Sequence, residues 1–186
     1  MAGEIKKRMV EGAMGLLARN GLQATSFSEV LAATGAPRGS LYHHFPGGKD
    51  QLVAEAVDGA GAVLIDALEA VAGQPAEAVV ERFLAIWRAV LTRSQYEAGC
   101  AVLAVTVATD SAELLSHATA VFRDWRERLA ALLRQGGLPA AAARRFAIML
   151  IASVEGAVVL SRAEQSIEPF EMVARQLTDQ LRAMVT

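Results

Sequence analysis

Thr25-Ser26-Phe27-Ser28-Glu29-Val30-Leu31-Ala32-Ala33-Thr34-Gly35-Ala36-Pro37-Arg38-Gly39-Ser40-Leu41-Tyr42-His43-His44-Phe45-Pro46-Gly47-Gly48-Lys49 is the stretch whose reading decides the fold. Ser26 and Glu29 have the spacing of a capping box: the Ser26 hydroxyl accepts the Glu29 N–H, and the Glu29 carboxylate reaches back. Phe27, Val30 and Leu31 give the helix that follows its buried side, and Gly35 ends it. Pro37 suits the first turn of a second short helix, where its missing N–H costs nothing. Leu41 and Phe45, four apart, are that helix's inward anchors. Pro46-Gly47-Gly48 breaks the chain again.

Working outward, the apolar spacing is helical almost everywhere. Ile5, Met9, Ala13, Leu16 and Leu17 share one face of a helix that Asn20-Gly21 should stop. After Lys49 the segments lengthen, with helices predicted over about 49–71 and 75–93. Gly99 to Thr109 carries β-branched Val102, Val105, Thr106 and Val107; periodicity does not separate helix from strand there, and the lack of a partner strand decides for helix. Asp110, with Glu113, is expected to cap a long helix that Gly136-Gly137 terminates. Helices over about 139–163 and 167–185 complete a count of nine. The reading is an all-α protein: an N-terminal three-helix head over 1–48, fused to a larger C-terminal helical bundle over 49–186.

Composition agrees. The chain has 186 residues, of which 53% are hydrophobic and only 5% aromatic. That suffices for a core, and an alanine-rich apolar fraction favours helix. One cysteine and three histidines argue against a disulfide framework and a metal site, so no metal and no cofactor is expected. HExxH, a P-loop and a strand-borne GxGxxG are absent. Cys100 and His117 have no third orienting group, so no catalytic residue is expected and the chain is read as a non-enzyme. Residues 1–50 carry six basic and four acidic side chains, the rest twelve basic and sixteen acidic. A mildly basic head on an acidic body suits a polyanion at one end. No signal peptide is expected behind Lys6, Lys7 and Arg8. The longest apolar stretch, Phe146 to Leu160, is broken by Ser153 and Glu155 and falls short of the ~20 residues of a membrane span. A cytoplasmic protein without a membrane partner is therefore expected.

Two short helices joined by a Gly-containing turn are the parts of a helix-turn-helix, whose second helix enters the major groove of DNA. With Leu41 and Phe45 inward, Arg38, Gly39, Ser40, Tyr42 and His43 face outward. Small Gly39 and Ser40 permit close approach to bases, and Arg38 suits guanine O6 and N7. Tyr42, His43 and Lys49 suit phosphates, as do Thr25 and Ser26 at a helix N-terminus. Adjacent helical residues point ~100° apart, so His43 rather than His44 is assigned to DNA. Lys6, Lys7 and Arg8 read as a solvated face and Cys100 as a small buried hydrophobe.

The residues Gly21 to Phe27, Gly35 to Phe45 and Lys49 resemble the DNA-binding head of TetR-type transcriptional repressors over roughly 5–50. The resemblance implies a nine-helix homodimer joined through its last two helices, a double-stranded DNA operator as partner, and a pocket for a small-molecule effector in the C-terminal bundle. It carries DNA contacts onto Thr25, Pro37, Arg38, Gly39, Ser40, Tyr42, His43 and Lys49; Pro37 stands where many members have a hydroxyl residue. Gly99-Cys100 looks like the subgroup typified by lincomycin-resistance repressors. In such an architecture Phe83, Trp87, Thr106, His117, Phe122 and Trp125 fit an apolar lining with few polar groups. The implied function is a ligand-responsive repressor released by a small apolar molecule. The alternative is a helical small-molecule binding protein with a vestigial helix-turn-helix.

Overall fold

The computed structural model describes residues 2–185. Among them are nine helices and no strand: α1 (Ala2–Ala24), α2 (Phe27–Thr34), α3 (Arg38–His44), α4 (Gly48–Glu69), α5 (Ala76–Arg93), α6 (Ala101–Ala108), α7 (Ala112–Gln135), α8 (Ala140–Glu164) and α9 (Glu168–Val185). The all-α expectation holds, and the ambiguous segment before Thr109 is helical. α1 breaks where Asn20-Gly21 predicts, because Gly21 adopts φ 78°, a left-handed value that glycine tolerates without a Cβ clash. The cap of α7 differs by one residue from expectation. Ser111, not Asp110, accepts the Leu114 N–H, at 3.3 Å. A hydroxyl one position on supplies the same bond, so the aspartate is not needed.

The chain forms two compact units, one of residues 2–62 and 100–122, the other of 63–99 and 123–185. In the first, Met9, Ala13 and Leu17 of α1 are fully buried at four-residue spacing. A Cβ on Gly12 would lie 2.3 Å from the Thr34 Cγ2, so glycine is what lets α1 and α2 pack this closely. α6 packs along α1, and the Gln23 side-chain amide donates to the Ala108 carbonyl at 3.3 Å. A Cβ on Gly61 of α4 would meet Val121 of α7 at 2.8 Å. The Cys100 thiol is buried and accepts the Leu103 N–H at the start of α6.

In the second unit α8 supplies the centre. Phe146, Ala147, Leu150, Val154, Ala157 and Val158 are buried against α5 and α9. The Phe170 N–H donates to the buried Ser161 hydroxyl at 3.1 Å, tying the start of α9 to α8. Gly136 is required by backbone contact: Ala76 N–H donates to its carbonyl at 3.0 Å, and a Cβ there would lie 2.4 Å from the Ala76 nitrogen. Among the described residues α8 alone is long and apolar enough to cross a membrane, and half of its most apolar window is buried within the fold.

Candidate nucleic-acid interface

The local geometry of α2 and α3 follows the sequence closely. The Ser26 hydroxyl accepts the Glu29 N–H at 3.3 Å and the Glu29 carboxylate accepts the Ser26 N–H at 3.0 Å, completing the box. Gly35 ends α2 at φ 63°. Pro37 is the N-cap rather than the first helical residue, with ψ 136°, an extended value consistent with its position just outside the helix. Leu41 and Phe45 are buried and fix α3 to the head.

The other side of α3 is uncovered. Arg38, Gly39, Tyr42 and His43 are exposed and Ser40 half-exposed. Tyr42 is 76% exposed, an extreme value for an aromatic that folding alone does not require. Its ring meets Phe27 of α2 edge-on at 6.4 Å. Nothing lies within 4 Å of a Cβ built on Gly39, so its lack of a side chain has no packing cause. Arg38 has no ion-pair or hydrogen-bond partner among the described residues. The Ser40 hydroxyl donates back to the Pro37 carbonyl at 2.6 Å. Between α2 and α3 an open groove of about 690 Å³ runs past Phe27, Leu31, Ala36 and Leu41, with Arg38 and Tyr42 on its rim.

Three expected contact residues are engaged inside the head. Thr25 is buried, and its hydroxyl donates to the Gly21 carbonyl at 2.8 Å. Ser26 is occupied by its capping box. Lys49 is half-buried and its Nζ donates to the Leu22 carbonyl at 3.0 Å, holding the start of α4 against the α1–α2 corner. His44 is half-buried and stacks edge-on against Phe45 at 6.4 Å. That differs from the exposed His43, as the helical angle predicts.

The six residues expected to line an effector pocket divide between the units. Phe83, Trp87 and Trp125 belong to the second unit and form one aromatic cluster. The Trp87 ring centroid lies 6.4 Å from each of the other two. Thr106, His117 and Phe122 belong to the first. There the Thr106 hydroxyl donates to the Val102 carbonyl at 2.8 Å. The His117 Nδ1 sits 3.0 Å from both carboxylate oxygens of Asp58. Asp58 as the partner of His117 was not foreseen; the two are 59 positions apart, and no local pattern signals such a pair. No group of three or more histidine, cysteine or carboxylate side chains suited to a metal occurs among the described residues.

Comparison with known proteins addresses the family. Residues 9–56 match the model of bacterial regulatory proteins of the tetR family. Residues 75–176 match the C-terminal domain of LmrA/YxaF-like transcriptional regulators. An uncharacterised HTH-type transcriptional regulator of Mycobacterium tuberculosis is 36% identical over 96% of this chain and 94% of its own. The HTH-type transcriptional regulator LmrA of Bacillus subtilis is 27% identical over 97% and 98%. A TetR transcriptional regulator from Legionella pneumophila has the same fold, with a TM-score of 0.83 at 20% identity over 94% of this chain and 96% of its own. The head that carries α2 and α3 and the bundle that follows thus have counterparts in one family: the chain belongs to the TetR family of bacterial transcriptional regulators, with a C-terminal domain of the LmrA/YxaF-like type.

Proposed function

We propose that the chain is a ligand-responsive repressor that reads a palindromic operator as a homodimer and is released by a small, largely apolar molecule. The observation that carries this reading is the outward face of α3, where Arg38, which has no partner among the described residues, an unobstructed Gly39 and a 76% exposed Tyr42 stand side by side. Arg38 reads a base edge, and Gly39 and Ser40 allow the approach. Tyr42 and His43 fix the register on phosphates. Pro37 contributes backbone and ring contact at the helix start. Lys49, already bonded to the Leu22 carbonyl, has two further N–H donors for a phosphate. Thr25 and Ser26 meet phosphate only by sharing hydroxyls that already have partners within the head.

Dimerisation through the last two helices is supported by the outer face of α8. Ile148, Ala152, Gly156, Val159 and Leu160 are all exposed, as is Met172 of α9. Such a contiguous apolar stripe at helical spacing is what an obligate partner covers. In the dimer the two α3 helices stand roughly 34–36 Å apart, or a multiple of a DNA turn, to enter successive major grooves. Residues 1–48 bind DNA, and 49–186 hold the effector and the partner. The effector prefers a spacing of heads that DNA does not accept, and shifts the population toward it. Swinging a 1:99 balance to 99:1 takes ~10⁴-fold differential affinity. The protein acts in the cytoplasm.

Gel-shift titration on the DNA flanking the chain's own gene tests the proposal. Sequence-selective retardation at moderate salt, from an inverted repeat and with a dimer-sized complex, is the expected result. Retardation that unrelated competitor DNA abolishes equally would leave a small-molecule binding protein with a vestigial helix-turn-helix.

A further inference from the structure

We infer that the indole N–H of Trp87 is a hydrogen-bond donor to the effector, which is therefore an uncharged, mostly apolar molecule presenting one acceptor, such as a carbonyl, ether or ring nitrogen. This rests on the regulator reading and adds the chemistry of its ligand. Trp87 lies in the middle of α5 with only 5% of its surface exposed. Its Nε1 is fully buried and has no hydrogen-bond partner among the described residues. Buried donors almost always have acceptors, so each exception needs a cause. The buried hydroxyls of this protein obey the rule: Thr25 donates to Gly21, Ser94 donates to Leu91, and Ser161 accepts from Phe170. A tryptophan present for packing alone normally turns its N–H to a partner.

The surroundings define the ligand. Phe83 and Trp125 flank the Trp87 ring, each at 6.4 Å between centroids. Aromatic walls favour an apolar body. The indole nitrogen is a donor only, so the ligand must accept. A single neutral donor does not compensate the desolvation of a full charge, which excludes an ionised ligand at this position.

The test uses two probes of matched shape, acetophenone and α-methylstyrene, which differ by a carbonyl oxygen in place of a methylene. Proton–nitrogen correlation spectra of the isotope-labelled chain report on the two tryptophans, and Trp125→Phe assigns the Trp87 indole signal. The expected result is a downfield shift of the Trp87 indole proton with acetophenone and about tenfold tighter binding than α-methylstyrene, the size of a single net hydrogen bond. Trp87→Phe should remove that preference. Equal affinity for the two probes, binding of neither, or a response at Trp125 alone would overturn the inference. Operator retardation by the same sample is read separately. If DNA binds but Trp87 is silent, only the donor assignment fails; if Trp87 responds but DNA does not bind, only the regulator reading fails.

Discussion

Two helices of this protein leave a face unburied, and the faces are chemically opposite. α3 has seven residues and turns Arg38, Gly39, Tyr42 and His43 outward; α8 has 25 and exposes Ile148, Ala152, Gly156, Val159 and Leu160. The first face is polar, and its interactions with a polyanion would weaken with salt as counterions are released. The second is apolar and gains by being removed from water, at roughly 25 cal/mol per Å². Folding of the single chain explains neither. On the proposed reading the first surface meets DNA and the second meets another copy of the chain, and different substitutions disturb them.

The largest effect is expected from Val159→Asp. A carboxylate in the middle of the exposed stripe leaves the folded chain intact, because Val159 is 52% exposed, but a dimer would have to bury the charge. Sedimentation velocity should report a monomer, and operator affinity should fall about a hundredfold through lost bivalency. A dimer of unchanged stability would remove α8 from the interface.

Gly39→Ala sharpens the other half. No atom obstructs the new Cβ, and alanine is the better helix former, so the chain should become ~0.5–1 kcal/mol more stable. Operator affinity should nonetheless drop, since the methyl group occupies the space the bases need. Thermal melts and anisotropy titrations on the same preparation give both numbers. Greater stability with unchanged affinity would show that the helix does not approach DNA at that point.

These expectations use the features that sequence made legible and stop at those it hid. The capping box of Ser26 and Glu29, the break at Gly21 and the terminus at Gly35 depend on atoms within four residues, so local patterns encode them. The inward pair Leu41 and Phe45 follows from helical spacing, and with it the outward set. What stayed hidden is long-range. The packing of α6 on α1, sealed by Gln23 and Ala108 at a separation of 85 positions, has no local signature. The bond from Lys49 to the Leu22 carbonyl is equally invisible, because a lysine near a turn reads the same whether it points to solvent or to a backbone oxygen. The same limit applies to the aromatic residues. Phe83, Trp87 and Trp125 recur at apolar positions, but only the fold shows that the Trp87 nitrogen is without a partner among the described residues.

The smallest effect concerns acid. The Arg88 guanidinium, hydrogen-bonded to Glu171, holds that carboxyl below its ordinary range, burial opposing in part. A group whose folded value is depressed stabilises fully above the ordinary carboxylate range, and that contribution disappears as pH falls through the folded value. Both side chains are about a third exposed, so solvent screens the pair and the effect is slight. Glu171→Gln should therefore lower the neutral plateau of a stability–pH curve slightly and flatten its acid limb by the same small amount, the two curves meeting at low pH. An unaltered acid limb would mean that the α5–α9 pair does not contribute to stability.

The central claim is that the outer side of α3 reads bases, and the most direct measurement is a binding profile over all single-base variants of the operator for Arg38→Ala beside Lys49→Ala. Arg38→Ala should lose discrimination at one symmetry-related position, at a cost of ~1–3 kcal/mol. Lys49→Ala should weaken every sequence alike and reduce the salt slope by ~1. If both variants weaken all sequences equally, the exposed face of α3 holds DNA without reading it, and the account is contradicted.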